Sequence, residues 1–211
     1  MLRLRDYQKR FIDQAPSRAF VFWEQRLGKT PTSLRACASS PLIVVVSPAF
    51  LKSQWQDEAA SWVPATEVRV YSYAKIPEQG EIKGPYSLIF DEAHFLKTVA
   101  STRTRQAARL SEFAEKCYLL SGTPWTTSAA DWYSQLEIVE GRIPTQRGYW
   151  AFAYEHCLVT RREVRIGKGR TRNVAYVGKI KNPKEFSLML EASEVHTLTR
   201  AQVIADLPET I

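Results

Sequence analysis

Two stretches of this chain carry residues suited to phosphate chemistry. In Glu24-Gln25-Arg26-Leu27-Gly28-Lys29-Thr30, Lys29 would neutralise charge on the β- and γ-phosphates of a nucleotide and Thr30 would ligate Mg²⁺. Backbone N–H groups of Gly28 and its neighbours, together with a following helix N-terminus, would cradle the phosphates. In Leu88-Ile89-Phe90-Asp91-Glu92-Ala93-His94, an apolar run ends in two adjacent carboxylates. There Asp91 could hold Mg²⁺ and Glu92 could orient or deprotonate a water; a capped helix start after any strand would show the same pair. The full pattern G-x-x-x-x-G-K-T is broken at Trp23, and Arg26 stands where a glycine would ease the turn. A left-handed non-glycine residue there costs roughly 1–2 kcal/mol.

The flanking elements place both stretches at one edge. Ala19 to Trp23 reads as a buried strand that runs straight into the Gly-Lys-Thr loop, and Pro31 opens a helix reaching about Ala38. Leu42 to Ser47 is a second strand, ended by Pro48, with a helix from Phe50 to Trp62. Val68 to Tyr71 is a third strand. A stretch marked by Pro77, Gly80, Gly84 and Pro85 separates it from the Asp-Glu strand. Thr102 to Phe113 is a helix, Cys117 to Ser121 a strand and Asp131 to Val139 another helix; Arg5 to Gln14 forms a short amphipathic one. This alternation predicts an α/β fold, a parallel sheet with right-handed crossovers and helices on both faces. Ligands of such sheets collect where strands end.

From Tyr149 the texture changes. Val164 to Val177 reads as a β-hairpin turning on Gly167-Lys168-Gly169, and Phe186 to Glu191 and Val195 to Ile204 read as helices. Residues 1–148 are therefore expected to form the core. Residues 149–211 would be an appendage with a basic hairpin (about 161–184) and terminal helices.

The formal net charge is +7, and nine Lys/Arg against the single acid Glu163 fall between Arg161 and Lys184. Such a concentration is an electrostatic footprint for a polyanion, or else a solvated basic surface. Tyr149, Trp150, Phe152, Tyr154 and Tyr176 could stack on bases or pack the hairpin onto the core. With 45% hydrophobic and 24% charged residues the composition is that of a globular protein. The aliphatic run Leu42 to Val46 is too short to cross a bilayer, and no signal-peptide core opens the chain. An intracellular location is expected, in the cytoplasm of a prokaryotic or viral system or the nucleus of a eukaryotic one. Cys37, Cys117 and Cys157 have no metal spacing and are expected to be reduced packing residues.

Read in order, Leu4-Arg5-x-Tyr7-Gln8, Leu27-Gly28-Lys29-Thr30, Ser47-Pro48 with Gln54-Trp55-x-x-Glu58, Asp91-Glu92-Ala93-His94-x-Leu96-Lys97 and Ser121-Gly122-Thr123-Pro124 resemble the first RecA-like lobe of superfamily 2 helicases. The likeness is specifically to Swi/Snf-type DNA translocases. Ala130 to Leu136 is similar to the helix after the Gly-Thr-Pro motif in the annealing-helicase branch. Asn182 to Phe186 and Val203 to Pro208 resemble the lobe's end, so the resemblance covers essentially the whole chain.

The resemblance implies an ATP- and Mg²⁺-dependent, DNA-stimulated ATPase. Arg5, Tyr7 and Gln8 would contact adenine, with Gly28, Lys29 and Thr30 on the phosphates. Lys29, Asp91 and Glu92 would be catalytic, with Thr30 and Asp91 holding Mg²⁺. His94, Ser121 and Thr123 would couple nucleotide state to DNA grip. Ser47, Pro48, Lys52, Gln54 and Lys97 would meet a DNA strand, chiefly its phosphates, and Arg170 and Arg172 would add the hairpin's charge. Thr126-Thr127 stand where many members have an asparagine. Of two arginines and a lysine usual near the lobe's end, only the last charge survives, as Arg200.

In that family ATP sits between two RecA-like lobes, and arginines of the second are worth roughly 10³–10⁵ in rate in related enzymes. No second lobe is recognisable here. The chain alone is expected to bind nucleotide weakly and hydrolyse it slowly, and to meet its second lobe in cis or in trans. Two other readings differ in kind. One is a DNA-binding module of the same fold with little turnover, motivated by the basic hairpin and the altered loop. The other is an unrelated small P-loop kinase, which lacks an acceptor signature and leaves His94 and Ser121-Thr123 without a role.

Overall fold

The computed structural model describes residues 3–122, 128, 130–167 and 170–206. The chain alternates α1 (Asp6–Gln14), β1 (Arg18–Trp23), α2 (Lys29–Ala36), β2 (Leu42–Ser47), α3 (Lys52–Trp62), β3 (Glu67–Ser72), β4 (Ser87–Phe90), α4 (Thr102–Phe113), β5 (Lys116–Ser121) and α5 (Asp131–Val139). Thr102–Phe113 and Asp131–Val139 coincide with the helices read from the sequence. Helix α2 begins two residues before Pro31, which still leaves that proline in the first turn, where its missing N–H has no intrahelical partner to lose. Then follow α6 (Gln146–His156), β6 (Cys157–Arg165), β7 (Thr171–Ile180), α7 (Pro183–Ala192), β8 (Val195–Leu198) and a 3₁₀ segment, Ala201–Asp206.

Six strands form one sheet in the order β3-β2-β4-β5-β1-β8, and every adjacent pair is parallel. Strands β2 and β4 are buried at every position, as expected of strands covered on both sides. Alternation sorts the side chains into two cores. Phe20, Phe22, Val44, Val46, Leu88, Phe90 and Leu119 face α4, α5 and α7, where Trp132 packs edge-on against Phe22 at 4.7 Å. Ala19, Val21, Trp23, Ile43, Val45, Ile89, Tyr118 and Leu120 face α1, α2 and α3. The α/β sheet with helices on both faces is thus the observed architecture. Cys37, Cys117 and Cys157 are free and buried within these cores.

Two elements depart from the sequence reading, the unexpected helix α6 and the last strand. Val195–Leu198, expected to be helical, is the sixth strand. Its position explains the change: β1 would otherwise leave one row of backbone groups unpaired, and β8 satisfies them, with Phe20 N donating to Glu194 O and Glu24 N to Leu198 O. Tertiary pairing overrides a local preference that was weak.

The basic hairpin is a separate antiparallel ribbon of β6 and β7. Val159 and Val177, paired across it, pack against the main core. Residues 168–169 of its turn lie outside the described residues, as do Thr123, Pro124, Thr126-Thr127 and Leu207-Pro208.

Candidate nucleotide site

Parallel strands all deliver their carboxyl ends to one edge. After β1 the chain forms the loop Glu24–Gly28, and α2 starts at Lys29. Gly28 has φ +72°, and a Cβ there would stand 2.4 Å from Gln8 Nε2; conformation and crowding both require glycine. Arg26 also adopts a left-handed conformation, φ +66°, the strained geometry expected where the usual motif has glycine. Trp23, at the motif's missing first glycine, is buried against Tyr7 and Phe11 at 5.5 and 5.7 Å between centroids.

The loop is held from outside. Gln8 Nε2 donates to Gly28 O (3.2 Å) and Thr32 Oγ1 (2.9 Å), and its Oε1 accepts from Arg5 N at 2.8 Å. Tyr7 Oη donates to Leu27 O at 3.1 Å. Tyr7 and Gln8, read as adenine contacts, thus fasten α1 to the Glu24–Gly28 loop. On the other side Arg200 N donates to Glu24 Oε2 at 3.0 Å, and its guanidinium to Gln25 O at 3.1 and 3.3 Å.

Lys29 Nζ donates to Trp23 O (2.8 Å) and Glu24 O (3.2 Å). Burial pushes its pKa below the ordinary lysine value, opposed by the carboxylates of Glu92 and Asp91, so these three residues share one electrostatic site. Strand β5 lies between β1 and β4, and Ser121 pairs with Phe22 at the strand end. The next residue, Gly122, closes on the loop: a Cβ there would meet Gln25 Cγ at 3.2 Å and Lys29 Nζ at 3.6 Å.

Asp91 follows β4 directly, with both carboxylate oxygens engaged. Oδ2 accepts from Trp55 Nε1 at 2.8 Å and Oδ1 from Glu92 N at 3.0 Å. Asp91 O accepts from Tyr73 Oη at 2.7 Å. Burial raises the Asp91 pKa; the Trp55 hydrogen bond opposes this, and the charge of Glu92 adds to it. Glu92 is left-handed, φ +51°, a strain that recurs at functional sites. Its Oε2 lies 3.3 Å from His94 Nδ1, and the His94 ring tilts over Phe95 at 4.9 Å.

The remaining expected contacts divide. Ser47 and Pro48 are buried, whereas Lys52 and Gln54 are exposed on the first turns of α3, beside Phe50, which is 80% exposed. Lys97 lies 4.0 Å from Asp131 Oδ2, and its carbonyl accepts from Ser134 Oγ. Arg170 and Arg172 are exposed on the hairpin, which is not part of the six-stranded sheet. Sequence reading did not assign Trp55, Tyr73 or Arg200 to the site. The signal for Trp55 was its polar N–H at a core position of α3, for Tyr73 its place just beyond a strand end, and for Arg200 the one charge surviving from the arginine-rich segment.

Among the described residues no cluster of three or more His, Cys, Asp or Glu could hold a metal alone. Mg²⁺ beside a nucleotide typically takes one or two protein oxygens and completes its octahedron with phosphates and water. Each Asp91 oxygen has a lone pair left after its hydrogen bond, and Thr30 stands in the first turn of α2. The donor set fits.

No family model matches the chain. The SWI/SNF-related matrix-associated actin-dependent regulator of chromatin subfamily A-like protein 1 homolog of Caenorhabditis elegans is 26% identical over 98% of the chain and 33% of its own length. The Bos taurus protein of that name is 26% identical over 86% of the chain and 21% of its length. The Bos taurus DNA annealing helicase and endonuclease ZRANB3 is 24% identical over 70% of the chain and 16% of its length. The chain's homologues are SWI/SNF-type annealing helicases. In fold, it matches the Sulfolobus solfataricus SWI2/SNF2 ATPase core, solved in complex with dsDNA, with a TM-score of 0.69 at 16% identity. The match covers 98% of this chain and 47% of that one, in the region of its first lobe. The chain thus spans a third or less of the SWI/SNF-type relatives named here.

Proposed function

We propose that this chain is the ATP-binding lobe of a SWI/SNF-type DNA translocase, which couples Mg-ATP hydrolysis to movement on DNA when joined to a second RecA-like lobe. The observation that carries this reading is that Lys29, just past β1, and Asp91 and Glu92, just past β4, stand at the same carboxyl edge of a parallel sheet, near enough for the two carboxylates to act on the lysine's charge. Lys29 would exchange its loop carbonyls for phosphate oxygens. Asp91, its carboxylate oriented by Trp55, would hold the metal with Thr30. The metal held there would supply positive charge against the phosphates. Glu92 would take the proton of the attacking water, and His94, beside it, would pass the state of that carboxylate to Ser121 and Thr123. Arg5, Tyr7 and Gln8 would set the adenine against α1. Ser47, Pro48, Lys52, Gln54 and Lys97 would follow a DNA strand by its phosphates. The reading places the chain wherever the DNA is: nucleus in a eukaryote, cytoplasm otherwise.

The test is hydrolysis by the chain supplied with the second lobe of a SWI/SNF-type relative. DNA should stimulate it, and Lys29→Ala and Glu92→Gln should each abolish it; undiminished hydrolysis in both variants overturns the reading. A second reading, a DNA-binding lobe with little turnover, is favoured by the left-handed Arg26 and by Lys29's hydrogen bonds to its own loop. It requires DNA affinity that falls steeply with salt and is indifferent to ATP, and tight Mg-ATP binding counts against it.

A further inference from the structure

Helix α6 and the β6–β7 ribbon enclose a groove of about 600 Å³, lined by Trp150 and Tyr154, by Arg161, and by the β7 stretch Arg172, Asn173, Val174 and Ala175. We propose that this groove receives an unpaired base of single-stranded DNA, stacked on the α6 aromatics while Arg161 and Arg172 meet the flanking phosphates. The proposal rests on the DNA-translocase reading and names the strand state that the appendage would recognise.

Three features favour this occupant. The aromatic floor is fixed in place: Trp150 is half-buried against the main core, and Tyr154 lies one turn further along α6 with its ring 6.0 Å away at 38°. Arg161 donates to Tyr154 Oη at 3.2 Å, holding a cation at the rim of that ring. The surroundings are strongly positive, since the ribbon region carries nine Lys/Arg against one acid, Glu163, and that acid already accepts a hydrogen bond from Thr171. A flat apolar group with an anion on each side matches this arrangement, and Asn173 adds an amide able both to donate to and to accept from a base edge. A paired base is excluded from stacking there, because its faces are covered by neighbours and its edge by its partner. Stacking platforms within positive grooves are how proteins hold single strands without reading their sequence.

The test compares three ligands on the full chain without nucleotide: a short single-stranded oligonucleotide, the same backbone with abasic sites, and a blunt duplex. Tyr154→Ala and Trp150→Leu should each weaken single-strand binding by roughly 5- to 150-fold, the usual value of one base stack. Abasic and duplex affinities should stay within about twofold. Arg172→Gln should weaken all three and flatten the salt dependence. Because Trp150 also packs on the core, Tyr154→Ala, 45% exposed, is the variant that separates stacking from folding. Equal losses on all three ligands, or none, would reduce the groove to a basic duplex or protein surface and overturn the proposal. Equal affinity of the unsubstituted chain for the single strand and its abasic counterpart, with Mg-ATP binding intact, would overturn the groove alone. Persistent base preference without nucleotide binding would uphold it while the ATPase reading fails.

Discussion

Trp55→Phe isolates the contact that orients Asp91. The indole N–H donates to Asp91 Oδ2 at 2.8 Å from a side chain that is 1% exposed. Phenylalanine keeps most of the packing and removes only the donor. A hydrogen bond to a charged group contributes about 1.5–3 kcal/mol and one to a neutral group about 0.5–1.5. The substitution should therefore cost about 1 kcal/mol more when Asp91 is ionised than when it is protonated. The sign follows from the pKa. Burial raises the folded value above the unfolded one, so ionisation opposes folding: the stability present below the unfolded pKa is lost as pH rises through the folded pKa. Removing the Trp55 donor, which holds the folded pKa down, raises it further and deepens that loss. The packing cost of a smaller ring does not depend on pH. Urea denaturation at several pH values from about 4, near the unperturbed Asp pKa, to 8 should give a wild-type-minus-variant difference that grows by about 1 kcal/mol towards high pH. That increment corresponds to roughly 2–4 °C in Tm for a chain of this size. A difference that is constant across the range would show that Trp55 supports the fold by packing alone and would refute its role in setting the Asp91 carboxylate.

Arg200→Ala should leave the sheet intact and loosen the Glu24–Gly28 loop by roughly 0.5–1 kcal/mol, the lower range for an exposed charge-to-backbone contact. Amide hydrogen exchange of Gln25 to Leu27 should quicken two- to fivefold by roughly that energy, while exchange in β2 and β4 stays unchanged. Glu92→Gly should relieve the left-handed backbone at φ +51° and raise stability by up to about 1 kcal/mol, read as a higher urea midpoint. The same variant should lose hydrolysis in the two-lobe assay, whereas a lowered midpoint would mean that the Glu92 side chain contributes more to the fold than its strain costs.

The sheet was legible because its signals are local. Continuous apolar runs mark β1, β2, β4 and β5, and each is closed by a polar or turn residue at the edge where the site lies. Helix α7, read from Phe186 to Glu191, begins three residues earlier at Pro183, where Asn182 Oδ1 caps it by accepting from Glu185 N. Strand β8 was not legible, because four residues of mixed character become a strand only beside an edge that β1 leaves open. Helix α6 was hidden by its aromatic content, Tyr149, Trp150, Phe152 and Tyr154, which reads as packing or stacking without indicating a period. Within the site, residue types revealed Lys29, Asp91 and Glu92. Their supports, Trp55, Tyr73 and Arg200, come from α3, from just past β3 and from beyond β8, and no spacing rule connects them to the loop or to the carboxylates.

These supports explain how the Glu24–Gly28 loop, which lacks glycine at Trp23 and Arg26, keeps its shape. Glycine normally lets such a loop reach its conformation without strain. Here Trp23 replaces the first glycine, and its ring joins Tyr7 and Phe11 in the core beneath α1. Arg26 takes the left-handed conformation at a cost of roughly 1–2 kcal/mol. Gln8 and Tyr7 bind the loop from α1, and Arg200 with the Glu24–Leu198 backbone pair binds it from β8. Several hydrogen bonds at about 0.5–1.5 kcal/mol each exceed that strain. The loop's geometry is thus imposed by neighbouring elements more than permitted by its own residues. Relatives with glycines at these positions should therefore tolerate loss of the arginine after the last strand better than this chain does.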